Sequence, residues 1–149
     1  MKILYIDMDG VLVKSNIELE CLDDDIQYKF KNRLYEAPGF FSKLKPIEGA
    51  IESYKYLTKK FDTYILTAAP WNNPTAANDK IEWVKKYLPD EAYKRIIISH
   101  NKNLNIGDYL IDDNLRNGVS EFKGMHIHFG TEKFPDWKSV VEFLDNELS

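Results

Sequence analysis

The sequence predicts an α/β fold built on a parallel sheet. Two observations carry this prediction: short apolar runs of strand length recur along the chain, and the segments between them repeat apolar residues at helical spacing. Ile3–Ile6, Tyr64–Leu66, Ile96–Ile98 and Tyr109–Ile111 show none of the alternation of a one-sided sheet and read as strands buried on both faces; Met125–Phe129 supplies a fifth. After Pro46, the residues Ile47, Ala50, Ile51, Tyr54 and Leu57 fall on one helical face. Ile81, Val84 and Leu88 repeat the spacing and are closed by Pro89, while Trp137, Val140, Val141, Leu144 and Leu148 form a last amphipathic helix. Strands alternating with helices imply parallel neighbours joined by right-handed crossovers.

From about Leu12 to Lys45 this rhythm stops. No strand-like run occurs there, yet Ile26, Phe30 and Leu34 follow the acidic triplet Asp23-Asp24-Asp25 at helical spacing. A structureless loop of that length is uncommon in a compact domain. The segment therefore reads as a small helical insertion at about 13–45, covering one edge of the sheet, with Cys21 packed inside it. No repeat, low-complexity tract or linker divides the chain, so residues 1–149 read as a single domain carrying that insertion.

Bulk properties narrow the function. The chain has 149 residues, 44% hydrophobic and 30% charged, which suits one globular core. A net charge of −4 and a pI of about 5.4 give no attraction for nucleic acid or anionic membrane. An anionic ligand must then be held by a local site. One cysteine allows no internal disulfide, and the start of the chain does not read as a signal peptide. The expectation is a cytoplasmic protein with no membrane partner.

The ends of the expected strands carry the chemistry, because ligands of open α/β sheets bind beyond the carboxyl ends of the strands. The first strand runs into Asp7-Met8-Asp9-Gly10, the second ends in Thr67, the third leads to His100-Asn101-Lys102, and the fourth ends in Asp112-Asp113. Carboxylates, a hydroxyl and an ammonium group are what phosphoryl transfer asks for, since that reaction is mostly positioning and charge neutralisation. A carboxylate attacking a phosphate dianion needs a hard divalent cation such as Mg²⁺ between them. A second carboxyl protonates the leaving group and later activates water.

Asp7-Met8-Asp9-Gly10-Val11-Leu12, Leu66-Thr67, Lys102 and Leu110-Ile111-Asp112-Asp113 resemble, in order, the four motifs of haloacid dehalogenase-like phosphatases. Within them the chain is similar to cytosolic-type 5′(3′)-deoxyribonucleotidases, through Phe40-Phe41, Leu44-Lys45-Pro46-Ile47-Glu48-Gly49-Ala50, Thr67-Ala68-Ala69-Pro70 and Glu82-Trp83-Val84-Lys85-Lys86-Tyr87. The resemblance implies a Rossmann-like sheet of order 3-2-1-4-5, a helical cap inserted after the first strand, and Mg²⁺ as cofactor. It implies Asp7 as nucleophile and metal ligand, and Asp9 as acid/base that also ligates metal through its carbonyl. Asp112 would complete the metal site, with Asp113 as a ligand or as a carboxylate just behind. Thr67 and Lys102 would bind phosphate. Ala68 departs from the family's frequent serine, and the insertion is shorter than in better-known members.

Phe40, Phe41 and Trp71 are the rings available to stack on a nucleobase. The partner expected is a small phosphate, a nucleoside 5′-monophosphate; a sugar phosphate is the alternative substrate. A phospho-acceptor or binding module is the non-enzymatic alternative, although a receiver module would need an acid at the end of the third strand, where Ser99-His100 stands. His126 and His128 share a strand face without other ligands and read as ordinary strand residues; His100 reads as incidental.

Overall fold

The structure is a computed structural model and describes residues 1–15 and 21–149. Five strands, β1 (Ile3–Ile6), β2 (Asp62–Thr67), β3 (Ile96–Ile98), β4 (Tyr109–Asp112) and β5 (Met125–His128), form one sheet of order β3-β2-β1-β4-β5. Every neighbouring pair is parallel. The α/β class and the strand order are therefore as expected. With all strands running one way, every carboxyl end lies on the same side of the molecule.

The pleat divides the apolar runs between two clusters. Leu4, Ile6, Ile65, Tyr109 and Ile111 point into a large core shared with α2 (Ala50–Leu57), α3 (Ala76–Tyr87) and α4 (Trp137–Glu147). Tyr5, Leu66 and Leu110 point the other way, where Val119 and Phe122 cover them. The links from β3 to β4 and from β4 to β5 carry single 3-10 turns, at Lys102–Leu104 and Val119–Glu121. Burial on both faces explains why the strands show no polar alternation.

Local signals set the helices. Gly49, at φ +81°, opens α2 in a left-handed conformation that a side chain resists. Asp136 and Ser139 close a capping box at the start of α4. The first turn of α4 buries Trp137, whose Nε1 donates to Val11 O at 2.8 Å and whose ring lies 5.5 Å from Phe129. On α3 the buried face comprises Ala76, Lys80, Trp83 and Val84, with Leu88 at the cap; Ile81 is only half-buried.

The segment between β1 and α2 leaves and returns through one antiparallel bridge, Val13 to Pro46. Lys14 N donates to Lys45 O and Ile47 N to Leu12 O, both at 2.9 Å. Beyond this stalk lie α1 (Asp24–Lys29) and 3-10 turns at Leu34–Glu36 and Phe40–Lys43; residues 16–20 of the expected insertion fall outside the described part. The spacing of Ile26, Phe30 and Leu34 does not give one helix, because α1 ends at its cap Phe30, yet all three side chains pack on the core.

The insertion leans on α3 and the loop before it rather than along a sheet edge. Asn73 Nδ2 donates to Tyr35 O and Ala37 O, both at 2.9 Å, and Trp83 Nε1 donates to Leu44 O at 3.0 Å. Loop carbonyls need such donors when buried, and α3 and the loop before it present them. Cys21 does not pack inside the insertion: it is exposed, and Leu22 takes the buried place beside it. No helix among the described residues is long and apolar enough to cross a membrane.

Trp137 ties α4 to the loop that follows β1, so its truncation tests the packing scheme. Trp137→Ala should cost about 3–5 kcal/mol in urea unfolding. Trp137→Phe keeps a ring but strands the Val11 carbonyl, and should cost about 1–3 kcal/mol.

Candidate active site

Asp7 directly follows β1, and Asp112 closes β4. Because Ile6 pairs with Ile111, the two acids emerge side by side. Lys102, in the turn after β3, reaches both: its Nζ donates to Asp7 Oδ1 at 2.9 Å and to Asp112 Oδ2 at 2.7 Å. All three side chains are buried. Burial holds the Asp7 carboxyl well above the ordinary carboxylate pKa; Lys102 opposes this, while Asp112 and Asp9 add to it. Burial also works against the Lys102 ammonium, but Asp7 and Asp112 outweigh it and raise its pKa above the usual lysine value.

Asp113 sits half-buried against the turn at Gly10. A Cβ on Gly10 would collide with the Asp113 carboxylate, and φ there is +77°, so both the approach and the turn require glycine. Burial, and then the charge of Asp112, raise the Asp113 pKa. Two histidines hold the backbone of this acidic pair. His126 Nε2 lies 2.9 Å from Asp112 O and His128 Nε2 3.1 Å from Asp113 O, with the rings stacked at 4.9 Å. A ring N–H donated to each carbonyl gives these strand residues a supporting place beside the site.

Asp7, Asp112 and Asp113 each offer a carboxylate oxygen within 4.8 Å of the others. Three carboxylate oxygens gathered at one point, two of them from buried acids, fit a hard divalent cation. The Asp9 carboxylate lies outside this group. Its Oδ2 accepts from Lys80 Nζ at 2.8 Å, and its Oδ1 is shielded without a hydrogen-bond partner among the described residues. Lys80 also donates to Thr67 Oγ1 at 2.7 Å.

Lys80 is absent from the motifs read in the sequence. The available signal was its register, since it occupies the buried stripe of α3 between Ala76 and Trp83. A lysine on an apolar stripe needs a buried acceptor.

A cavity of about 520 Å³ opens over these groups, with Asp7, Asp9 and Lys102 in its lining and the rings of Tyr35, Phe40, Phe41 and Trp71 around it. Thr67 is not in that lining; it lies one layer deeper, fully buried beside Lys80. Phe40 and Phe41 belong to the core and meet edge to face at 5.0 Å, so each offers the cavity only part of its surface. Trp71 is 88% exposed. His100 also lines the cavity, edge-on to Trp71 at 6.0 Å, and is anchored by Nε2 to Ala69 O at 2.7 Å.

The family model described as "5' nucleotidase, deoxy (Pyrimidine), cytosolic type C protein" matches residues 14–136. The chain belongs to this nucleotidase family. It is thereby a hydrolase. A protein of Vibrio phage KVP40 with the provisional name 5′(3′)-deoxyribonucleotidase is 51% identical over 145 residues, covering 97% of this chain and 85% of the relative. The 5′(3′)-deoxyribonucleotidase of Bacillus subtilis strain 168 is 29% identical over 147 residues, covering 86% of this chain and 84% of the relative. In fold, a haloacid dehalogenase-like family hydrolase from Xanthomonas campestris superposes with a TM-score of 0.60 at 12% identity, covering 98% of this chain and 95% of that one.

The buried charges of the site oppose folding in the absence of a divalent cation. A carboxyl whose pKa rises on folding destabilises the native state as pH climbs from its unfolded value through its folded one. Asp7→Asn removes that charge at constant shape. Without metal at neutral pH, its melting temperature should equal or exceed that of the parent protein, by about 2–4 °C for each kcal/mol of relieved repulsion. A lower melting temperature would assign the Asp7–Lys102 pair a net stabilising part.

Proposed function

We propose that this nucleotidase-family chain hydrolyses deoxyribonucleoside 5′-monophosphates through a phosphoryl group carried on Asp7, with Mg²⁺ as cofactor. One observation carries the reading: Asp7, Asp9 and Lys102 share one cavity with a set of aromatic rings. The first three suit a phosphate, and the rings suit a planar base.

Asp7, Asp112 and Asp113 would hold the cation, joined by the Asp9 carbonyl that the family resemblance implies. The cation would supply charge neutralisation between the attacking carboxylate and the phosphate dianion. Lys102 contributes the second positive charge at the same point and holds the Asp7 carboxylate in place. Phosphate contact falls to Lys102 first; Thr67, one layer deeper, supports the site through Lys80.

In the first step an Asp7 oxygen bonds to phosphorus, the bond from phosphorus to the sugar oxygen breaks, and Asp9 gives its proton to that oxygen. In the second step a water oxygen bonds to phosphorus, the bond from phosphorus to Asp7 breaks, and Asp9 takes the proton of the water. Inorganic phosphate leaves, and both carboxyls return to their starting states.

Purified protein should release phosphate from deoxyribonucleoside 5′-monophosphates faster than from sugar phosphates. EDTA should stop turnover, Mg²⁺ should restore it, and Asp7→Asn should lower it by about 10³-fold or more. Substantial turnover by folded Asp7→Asn would remove the covalent route. A preference for sugar phosphates would move the assignment to a general small-molecule phosphatase.

The exposed ring of Trp71 should account for part of substrate choice. Trp71→Ala should raise KM for a nucleotide by an amount equivalent to about 1–3 kcal/mol of lost stacking. A small ringless phosphate should be turned over nearly as before. Equal losses on both substrates would exclude a contact with the base.

A further inference from the structure

We infer that Lys80 is a positioning residue for Asp9, fixing the plane of its carboxylate beside the cavity. The inference rests on the hydrolytic reading above and extends it to a residue outside the four motifs.

Lys80 has no exposed surface and contributes nothing to the cavity lining. It therefore reaches a bound substrate only through what it holds. An ammonium group offers three donors and no acceptor. Two of the donations are assigned: Asp9 Oδ2 at 2.8 Å and Thr67 Oγ1 at 2.7 Å. The Phe41 ring, centred 4.6 Å from Nζ, covers the ammonium from the side of the insertion. A buried lysine with a charge-assisted bond to a carboxylate and a ring over it has lost most of its rotational freedom.

The consequence for Asp9 is an asymmetry. Oδ2 is tied down, while Oδ1 is shielded and unpartnered among the described residues. Oδ1 is closed to water, so the proton that Asp9 exchanges with the cavity it lines passes through Oδ2, the oxygen whose position Lys80 fixes. Transfer of a proton to a leaving group, and later from water, needs an accessible oxygen held in a fixed plane. Lys80 fixes the plane, and an Oδ2 that accepts one bond keeps a second lone pair for the proton. Thr67 takes part as the other fixed point of Nζ, closing a triangle between β2, α3 and the loop after β1.

The test compares leaving groups, because only one half of the reaction needs Asp9 when the leaving group needs no proton. Lys80→Met preserves volume and removes the donors. With a deoxyribonucleoside monophosphate its kcat should fall by about 10²-fold or more, the size expected of general acid–base assistance. With p-nitrophenyl phosphate the variant should release one equivalent of p-nitrophenolate in a rapid burst, then turn over slowly, because attack by Asp7 survives and hydrolysis of the phosphorylated enzyme does not. Asp9→Asn should show the same burst.

Loss of a merely structural lysine would slow both phases and both substrates alike, so a uniform loss without a burst overturns the inference. Unchanged kcat on the nucleotide overturns it as well. Lys80→Gln, which retains a shorter donor, is the second variant and should show the burst with a smaller loss. If neither variant folds, judged by circular dichroism and a cooperative melt, Lys80 is a stability element and the inference fails. Parent protein inactive on both substrates would instead remove the hydrolytic reading itself.

Discussion

Lys102 lies between two buried carboxylates that belong to different strands, and the active end of the sheet depends on that arrangement. Parallel strands bring all their carboxyl ends to one side, so acids placed after β1 and at the end of β4 are forced together by the pairing of Ile6 with Ile111. Like charges in a shielded site repel, and burial alone disfavours each of them. An ammonium group of fixed position offsets part of both effects, which is why the turn after β3 has to return Lys102 to the middle of the sheet. Its backbone is tied there as well, with Lys102 N donating to Asn117 O at 2.7 Å. A buried ion pair of this kind seldom adds to stability over an apolar equivalent. Its presence is better explained by chemistry than by stability.

A second lysine repeats the device at the other acid of the motif. Lys80 holds Asp9 as Lys102 holds Asp7, but from the helix side rather than from a strand end. The two acids of the Asp-x-Asp motif thus have different guardians and different surroundings. Asp7 is closed in among Lys102 and Asp112; Asp9 keeps one oxygen unpaired. Distinct surroundings are what allow two chemically identical side chains to take different parts in one reaction.

The insertion shares the same constraint. Its rings make up one side of the cavity, and Phe41 also lies over Lys80. Anchors from Asn73, Thr75 and Trp83 to its backbone join it to the helix that carries that lysine. The aromatic wall of the cavity and the order around Asp9 therefore belong to one small block of packed side chains. This is a physical route by which a change in the insertion could alter turnover as well as substrate choice.

The sequence by itself determined the class of fold, the strand positions and the acidic ends, because strands buried on both faces must be apolar throughout and strand-end residues must face the same side of a parallel sheet. It also determined Lys102, which lies in series with the other motifs. It did not reveal Lys80, because a lysine in a helix is ordinarily solvated, and only the packing of α3 against the sheet turns its position inward. The depth of Thr67, the core packing of Phe40 and Phe41, the exposure of Cys21 and the supports from His126 and His128 were likewise decided by tertiary structure. Each depends on which neighbours arrive from distant parts of the chain, and hydrophobic periodicity records only which face is buried, not what it meets there.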